Sequence, residues 1–209
     1  TFIDPQAIID LGTGNGIIGL LLAGLYPKAR IVGLEIQPEL VEIARKNVEN
    51  SGYAERMEVV LGDIKTCQQY FSPHSYDLVV TNPPYRRINS GRINPDPDKA
   101  VAKHELAVNL SQLITSVDYL LMPKGRFALI YHPGRLYELF TKLKGTALAP
   151  RRIRFVHPYK WSDAKMVLLE TSKGAKSDLR GEPPLIVYEE KGKYTEELKN
   201  IYSRWGLCL

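Results

Sequence analysis

Asp10-Leu11-Gly12-Thr13-Gly14-Asn15-Gly16 follows a short apolar run, Ala7 to Asp10, and precedes a longer one that begins at Ile17. A strand, a glycine turn and a helix in that order open a strand-helix-strand unit. Glycines at alternate positions permit positive φ and let a ligand lie against the main chain above the helix N-terminus. The spacing is G-x-G-x-G. A dinucleotide fingerprint would carry its third glycine at position 17, which is Ile17.

Outward from this turn, short β-rich runs alternate with helical patterns. Strands are predicted at Ala7 to Asp10, Arg30 to Ile36, Met57 to Leu61, Leu78 to Thr81, Arg126 to Tyr131, Arg152 to His157 and Met166 to Thr171. Helices are predicted at Ile17 to Tyr26, Glu39 to Asn50, Glu105 to Leu121 and Gly134 to Lys144. In the second helix Leu40, Val41, Ala44 and Val48 share a face, and in the third Leu106, Leu110, Leu113, Val117 and Leu120 do the same. The first five strands are expected to run parallel. Only Pro158 to Lys165 joins the last two, too little for a helical crossover, so these should form an antiparallel hairpin. The expected fold is α/β and Rossmann-like: a mostly parallel seven-stranded sheet with an antiparallel terminal strand and helices on both faces. Ser172 to Pro184 reads as a surface excursion, Leu185 to Tyr188 as a short edge strand and Thr195 to Arg204 as a final helix.

With 209 residues, 44% of them hydrophobic and 24% charged, the chain can bury one sizeable core, and residues 1–209 are read as one domain. Its longest strongly apolar stretch, Ile17 to Leu25, is about half the roughly 20 residues of a membrane span. No leader pattern opens the sequence. Cys67 and Cys208 stand apart with no zinc-type spacing, so no metal site is expected and a reducing, cytoplasmic compartment is. A net charge of +5 is unremarkable, but its placement is informative: Arg86, Arg87, Arg92, Lys99 and Lys103 share one loop, and Arg151, Arg152 and Arg154 form a second group.

The glycine spacing resembles the motif of class I S-adenosylmethionine methyltransferases, whose sulfonium cofactor has no pyrophosphate to cradle. Gly12, Thr13, Gly14 and Gly16 would then line the cofactor, and Asp10 suits its cationic methionine end. Glu35 closes the second strand, where its carboxylate can accept from both ribose hydroxyls while Ile36 packs on adenine. After the third strand, Asp63 can accept from the adenine amino group with Ile64 beside it. A turn role for Asp63 competes with that reading.

Asn82-Pro83-Pro84-Tyr85 ends the fourth strand. Beside such a cofactor, these residue types fit methyl transfer to a planar nitrogen whose lone pair is delocalised. The Asn82 side-chain oxygen and the Pro83 carbonyl can take the two N–H groups of an adenine amine or a glutamine amide, which pyramidalises the nitrogen. Pro83 and Pro84 hold these acceptors extended, and Tyr85 offers a ring for stacking. Asn82 thus borders cofactor and substrate alike. Arg86, Arg87, Arg92 and Lys103 are candidate phosphate contacts.

Together with the loop that ends in His104-Glu105, Phe155-Val156-His157-Pro158 and Pro183-Pro184-Leu185-Ile186-Val187-Tyr188, these motifs resemble the bacterial tRNA adenine-N6 methyltransferase family. The resemblance covers nearly the whole chain. It implies S-adenosylmethionine as cofactor, tRNA as partner, and as target the adenine just 3′ of the anticodon of a valine tRNA. A segment that normally precedes the first strand in that family is expected to be missing, and Arg86-Arg87 stand where an aromatic often follows the motif tyrosine. His104 reads as a surface residue at a helix start. The alternatives are N5-methylation of a protein glutamine, as on a release factor, and DNA adenine-N6 methylation. A non-catalytic binding module and a dinucleotide dehydrogenase fit the motifs less well.

Overall fold

The structure, a computed structural model, describes residues 4–83, 109–176 and 178–206. In chain order the elements are β1 (Ala7–Leu11), α1 (Ile17–Leu25), β2 (Arg30–Glu35), α2 (Pro38–Asn50), β3 (Met57–Leu61), a 3-10 helix (Ile64–Gln69), β4 (Tyr76–Thr81), α3 (Leu110–Leu120), β5 (Leu121–Tyr131), a 3-10 turn (Pro133–Arg135), α4 (Leu136–Leu143), β6 (Leu148–His157), β7 (Met166–Lys173), β8 (Arg180–Gly181), β9 (Leu185–Ile186), β10 (Tyr188–Glu190), β11 (Lys193–Tyr194) and α5 (Glu196–Ser203).

The sheet runs β3-β2-β1-β4-β5-β7-β6, with β8 and β9 pairing parallel to the outer edge of β6. The first five strands are parallel and β7 is antiparallel to both neighbours, as expected. That antiparallel strand lies inside the sheet, between β5 and β6. Consequently β6 ends at the same edge as the parallel strands, and the β6–β7 turn projects from that edge.

Burial explains the layering. Strand residues alternate between two faces. Ile8, Ile31, Met57 and Val59 pack with Ala23 of α1 and with Val41, Ala44 and Val48 of α2. The opposite face sends Ile9, Leu11, Val79, Phe127, Leu129 and Leu169 against Leu113, Val117 and Leu120 of α3 and Leu139 of α4. From the far end of the chain, α5 returns toward the first helix: Arg154 pairs with Glu197 at 2.5 Å, and the Trp205 indole N–H donates to the Leu21 carbonyl at 2.8 Å.

Four expectations are corrected. The third helix begins at Leu110, because Asn109 is extended and forms a reciprocal capping box with Gln112; residues 105–108 lie outside the described residues. β5 begins five residues early, at Leu121, and accommodates Met122–Gly125 by a register shift, with Lys124 at φ 67°. The stretch after β7 includes β8, which pairs with β6 rather than lying apart. The predicted edge strand divides into β9 and β10 at Val187, whose N–H donates to the His157 carbonyl at 2.9 Å. Among the described residues no helix is long and apolar enough to cross a membrane.

The α3 cap is a local element that can be tested alone. Asn109→Ala removes the side-chain acceptor for the Gln112 N–H and should lower unfolding stability by about 1 kcal/mol. Urea denaturation should show a lower midpoint at an unchanged slope.

Candidate functional site

The carboxyl ends of β4, β1, β2 and β3 stand side by side, and each carries a candidate residue. Leu11 is in register with both Leu34 and Thr81, and Glu35 with Leu61. Gly12, Asn82, Glu35 and Asp63 therefore line one edge, with adjacent strands about 4.8 Å apart. The Thr81 hydroxyl also donates to the Leu11 carbonyl at 2.7 Å, which ties the end of β4 to the start of the glycine turn. Asn82 is exposed and Pro83 half-buried at this edge.

Gly12, Gly14 and Gly16 all adopt positive φ, at 72°, 59° and 87°. A Cβ at Gly12 or Gly14 would meet nothing within 4 Å, so the backbone there faces open space. At Gly16 the neighbour is Ala44 Cβ, 3.4 Å away, and that glycine serves the packing of α2. The turn is pinned to β2 from below: the Gly12 and Thr13 N–H groups both donate to the Leu34 carbonyl, at 2.8 and 3.1 Å.

Glu35 is 5% exposed. Its carboxylate accepts from the Gly14 N–H at 2.9 Å, the Ile36 N–H at 3.0 Å and the Gln37 N–H at 3.1 Å. One side chain thereby joins the glycine turn to the entry of α2. A carboxylate offers about four acceptor positions. Three are used, so two ribose hydroxyls can both be accepted only if a backbone bond is shared or released. Ile36, half-buried, is next along the chain.

Asp10 is fully buried beneath the turn. Its Oδ2 accepts from the Thr13 hydroxyl at 2.7 Å, while its Oδ1 makes no hydrogen bond of normal geometry and has the Gly19 backbone N–H as its polar neighbour. Burial is the main reason its pKa rises from 3.8 to about 6; the Thr13 hydroxyl and the Gly19 backbone N–H oppose the shift, and the Glu35 charge adds a little to it. A buried carboxylate beneath the turn fits a cationic ligand overhead. Being closed to solvent, it would act on such a ligand through charge rather than contact.

Asp63 plays the turn role that competed with adenine recognition. It caps the 3-10 helix by accepting from the Lys65 N–H at 2.8 Å and pairs with the Lys65 ammonium at 3.2 Å. Ile64 is half-buried, and its carbonyl accepts from the Ser116 hydroxyl at 2.7 Å. Gly33 is a further residue of the site, outside every motif quoted above. A Cβ there would lie 2.7 Å from Thr13 Cγ2, so the glycine makes room for the threonine that bonds Asp10. The only sequence signal is a glycine inside a strand pattern.

The second basic group is largely internal. Arg152 pairs with Glu182 at 2.7 Å and Glu170 at 3.4 Å, Arg154 pairs with Glu197, and the Arg151 guanidinium donates to the Lys176 carbonyl at 2.9 Å. These arginines hold β6 to β7, β8 and α5 and are committed before any polyanion arrives. Pro84, Tyr85, Arg86, Arg87, Arg92, Lys103 and His104 lie outside the described residues.

The Asp10 geometry sets a pH dependence. With its folded pKa above the unfolded value, the group favours folding at low pH, and that contribution is lost as pH rises from about 3.8 to about 6, a difference of about 3 kcal/mol. A cationic ligand bound above the turn would favour the ionised form, and its affinity should then increase about tenfold between pH 5 and 7. Asp10→Asn should flatten that profile in titration calorimetry. An equal slope in the variant would assign the dependence to another group.

A methyltransferase-domain family model matches residues 4–199. The chain is 33% identical over 198 residues to a tRNA1(Val) (adenine(37)-N6)-methyltransferase of Porphyromonas gingivalis, an alignment covering 92% of this chain and 76% of the relative. A protein of the same name from Pedobacter heparinus is 32% identical over 205 residues, covering 96% of this chain and 83% of its own. Two solved structures share the fold at lower identity. A crystal structure described as a predicted O-methyltransferase from Agrobacterium tumefaciens superposes with a TM-score of 0.77 at 22% identity, covering 95% of this chain and 89% of its own. TrmN from Thermus thermophilus gives a TM-score of 0.60 at 20% identity, covering 80% of this chain and 44% of its own. The chain is an S-adenosylmethionine-dependent N-methyltransferase that belongs to the family of tRNA1(Val) (adenine(37)-N6)-methyltransferases.

Proposed function

We propose that the protein methylates the exocyclic N6 of the adenine just 3′ of the anticodon in a valine tRNA in the cytoplasm, using the edge formed by β1, β2 and β4. The observation that carries the site assignment is the register of Thr81 with Leu11 and the hydrogen bond between them, which sets Asn82 one strand away from Gly12. The names of the relatives support tRNA as the substrate class.

When bound, S-adenosylmethionine supplies an electrophilic methyl group. Gly12 and Gly14 would leave space for it, Glu35 would accept from its ribose, and the buried Asp10 charge would favour its cationic end. Asn82 and Pro83 accept the two N–H groups of the adenine amine, so the nitrogen lone pair turns out of the ring plane toward the methyl carbon. The cofactor would supply the methyl carbon and leave with the electron pair of its C–S bond. The alkylated nitrogen then loses one proton, acidic enough to leave without a strong base. Tyr85 stacks on the base, and Arg86, Arg87, Arg92 and Lys103 hold the flanking phosphates while the nucleotide is extruded.

Asn82→Ala should lower turnover on tRNA by at least about a hundredfold while cofactor affinity stays within a few fold, the pattern of an interaction strengthened in the transition state. Incubation with labelled cofactor and separate pools of tRNA, DNA and protein, followed by mass spectrometry of the labelled product, identifies the acceptor. Label at N6 of that adenine is expected. Label only on a protein glutamine would overturn the RNA assignment, and a nearly fully active Asn82→Ala variant would overturn the role of Asn82.

A further inference from the structure

At the β6–β7 turn four aromatic rings form a column. Trp161 stacks on Tyr159 with ring centroids 5.4 Å apart and planes 10° from parallel. Tyr159 in turn packs on Tyr188 at 5.6 Å, and Tyr188 stacks on Tyr194 at 4.9 Å. Packing the β10–β11 ribbon against the turn accounts for the three tyrosines, each half-buried. It does not account for the indole, which is the outermost ring and is 77% exposed.

The turn beneath the indole is tightly bonded. The Ser162 N–H and hydroxyl both donate to the Tyr159 carbonyl, at 3.0 and 2.8 Å, the Tyr159 N–H donates back to the Ser162 hydroxyl at 3.0 Å, and His157 Nδ1 lies 2.7 Å from the Ser162 carbonyl. Trp161 is therefore presented from a preorganised segment, with its outer face open to a further planar group. Exposed Lys160 and Lys165 flank it, with Asp163 the one acidic residue of the turn.

Position supplies the function. Because β6 runs in the same sense as β4 and β5, this turn leaves the sheet at the edge that carries Asn82. Three strand steps, β4 to β5 to β7 to β6, separate them by about 14 Å laterally, and β6 runs on from Ile153, level with Thr81, to His157, about 13 Å further, before the turn begins. A few nucleotides of single-stranded RNA span that distance. Aromatic faces bind unpaired bases with little regard to sequence, and neighbouring lysines meet the phosphates.

We propose that Trp161, backed by the tyrosine column, is a stacking platform for an unpaired base of the RNA loop near the target adenine, an inference that rests on the RNA reading given above. It makes Trp161 a substrate-binding residue that takes no part in methyl transfer. Affinity for the RNA should therefore depend on it and chemistry should not.

Trp161→Ala should weaken tRNA binding and raise KM by about fivefold to a hundredfold, with kcat within a few fold of the parent and with cofactor affinity and thermal midpoint unchanged. Trp161→Phe should restore most of the binding. Indole emission of the parent should be quenched on titration with tRNA, and that quenching should vanish in Trp161→Phe, which retains Trp205. If the parent methylates tRNA and Trp161→Ala matches it in affinity and KM, the platform is wrong while the proposed function stands. If the parent labels only a protein glutamine, the RNA reading fails and the platform falls with it, whatever Trp161→Ala does to that protein's binding.

Discussion

The Glu35 carboxylate is the interaction on which the candidate site depends. Three backbone N–H groups from two separate turns converge on it inside a largely buried setting. Hydrogen bonds to a charged acceptor contribute about 1.5–3 kcal/mol each, and a buried carboxylate without them would be costly to keep ionised. The same bonds hold Gly14 in its left-handed conformation and fix where the main chain turns upward from β1. Without this anchor the β1–α1 turn would keep its bonds to the Leu34 carbonyl but lose its link to the entry of α2.

Beneath that anchor, a second set of contacts keeps the turn raised. Thr13 bonds Asp10, and it can do so only because Gly33 has no side chain to collide with it. The arrangement places two carboxylates, Asp10 and Glu35, under one glycine turn. Their mutual repulsion adds to the cost of ionising Asp10, and a cation above the turn relieves it. Two carboxylates so placed suit a cationic ligand better than a phosphate, as does the glycine spacing, and the chain belongs to a methyltransferase family.

Much of this was legible in the sequence because it rests on local signals. Alternating glycines between an apolar strand and an apolar helix mark the turn, and the strand-end positions of Glu35, Asp63 and Asn82 follow once parallel strands are recognised. The lapses have physical causes. Apolar spacing continues through Leu106 and Leu110, which masks the helix start that Asn109 and Gln112 encode. The β-rich pattern is clear only from Arg126, yet the strand starts at Leu121 and absorbs Met122–Gly125 as a register shift. The arginines of β6 look like a free basic patch because Glu170, Glu182 and Glu197 lie 18 to 43 residues away and meet them only in the folded sheet. Glu35 reads as an acceptor for both ribose hydroxyls, and nothing in the sequence marks the three backbone N–H groups that meet it in the fold. The column ending at Trp161 draws on the same kind of long-range pairing, between the β6–β7 turn and the β10–β11 ribbon.

The central claim is that the ledge formed by the glycine turn, Glu35 and Asn82 holds the cofactor with its transferable group toward Asn82. A crystal structure of the protein with S-adenosylhomocysteine tests it most directly. The account predicts the amino-acid end of the ligand over Gly12 and Gly14, its ribose hydroxyls within hydrogen-bond distance of the Glu35 carboxylate, its sulfur facing Asn82, and one backbone bond to Glu35 shared or released. Ligand density at another strand edge, or a ribose bound without Glu35, would contradict it.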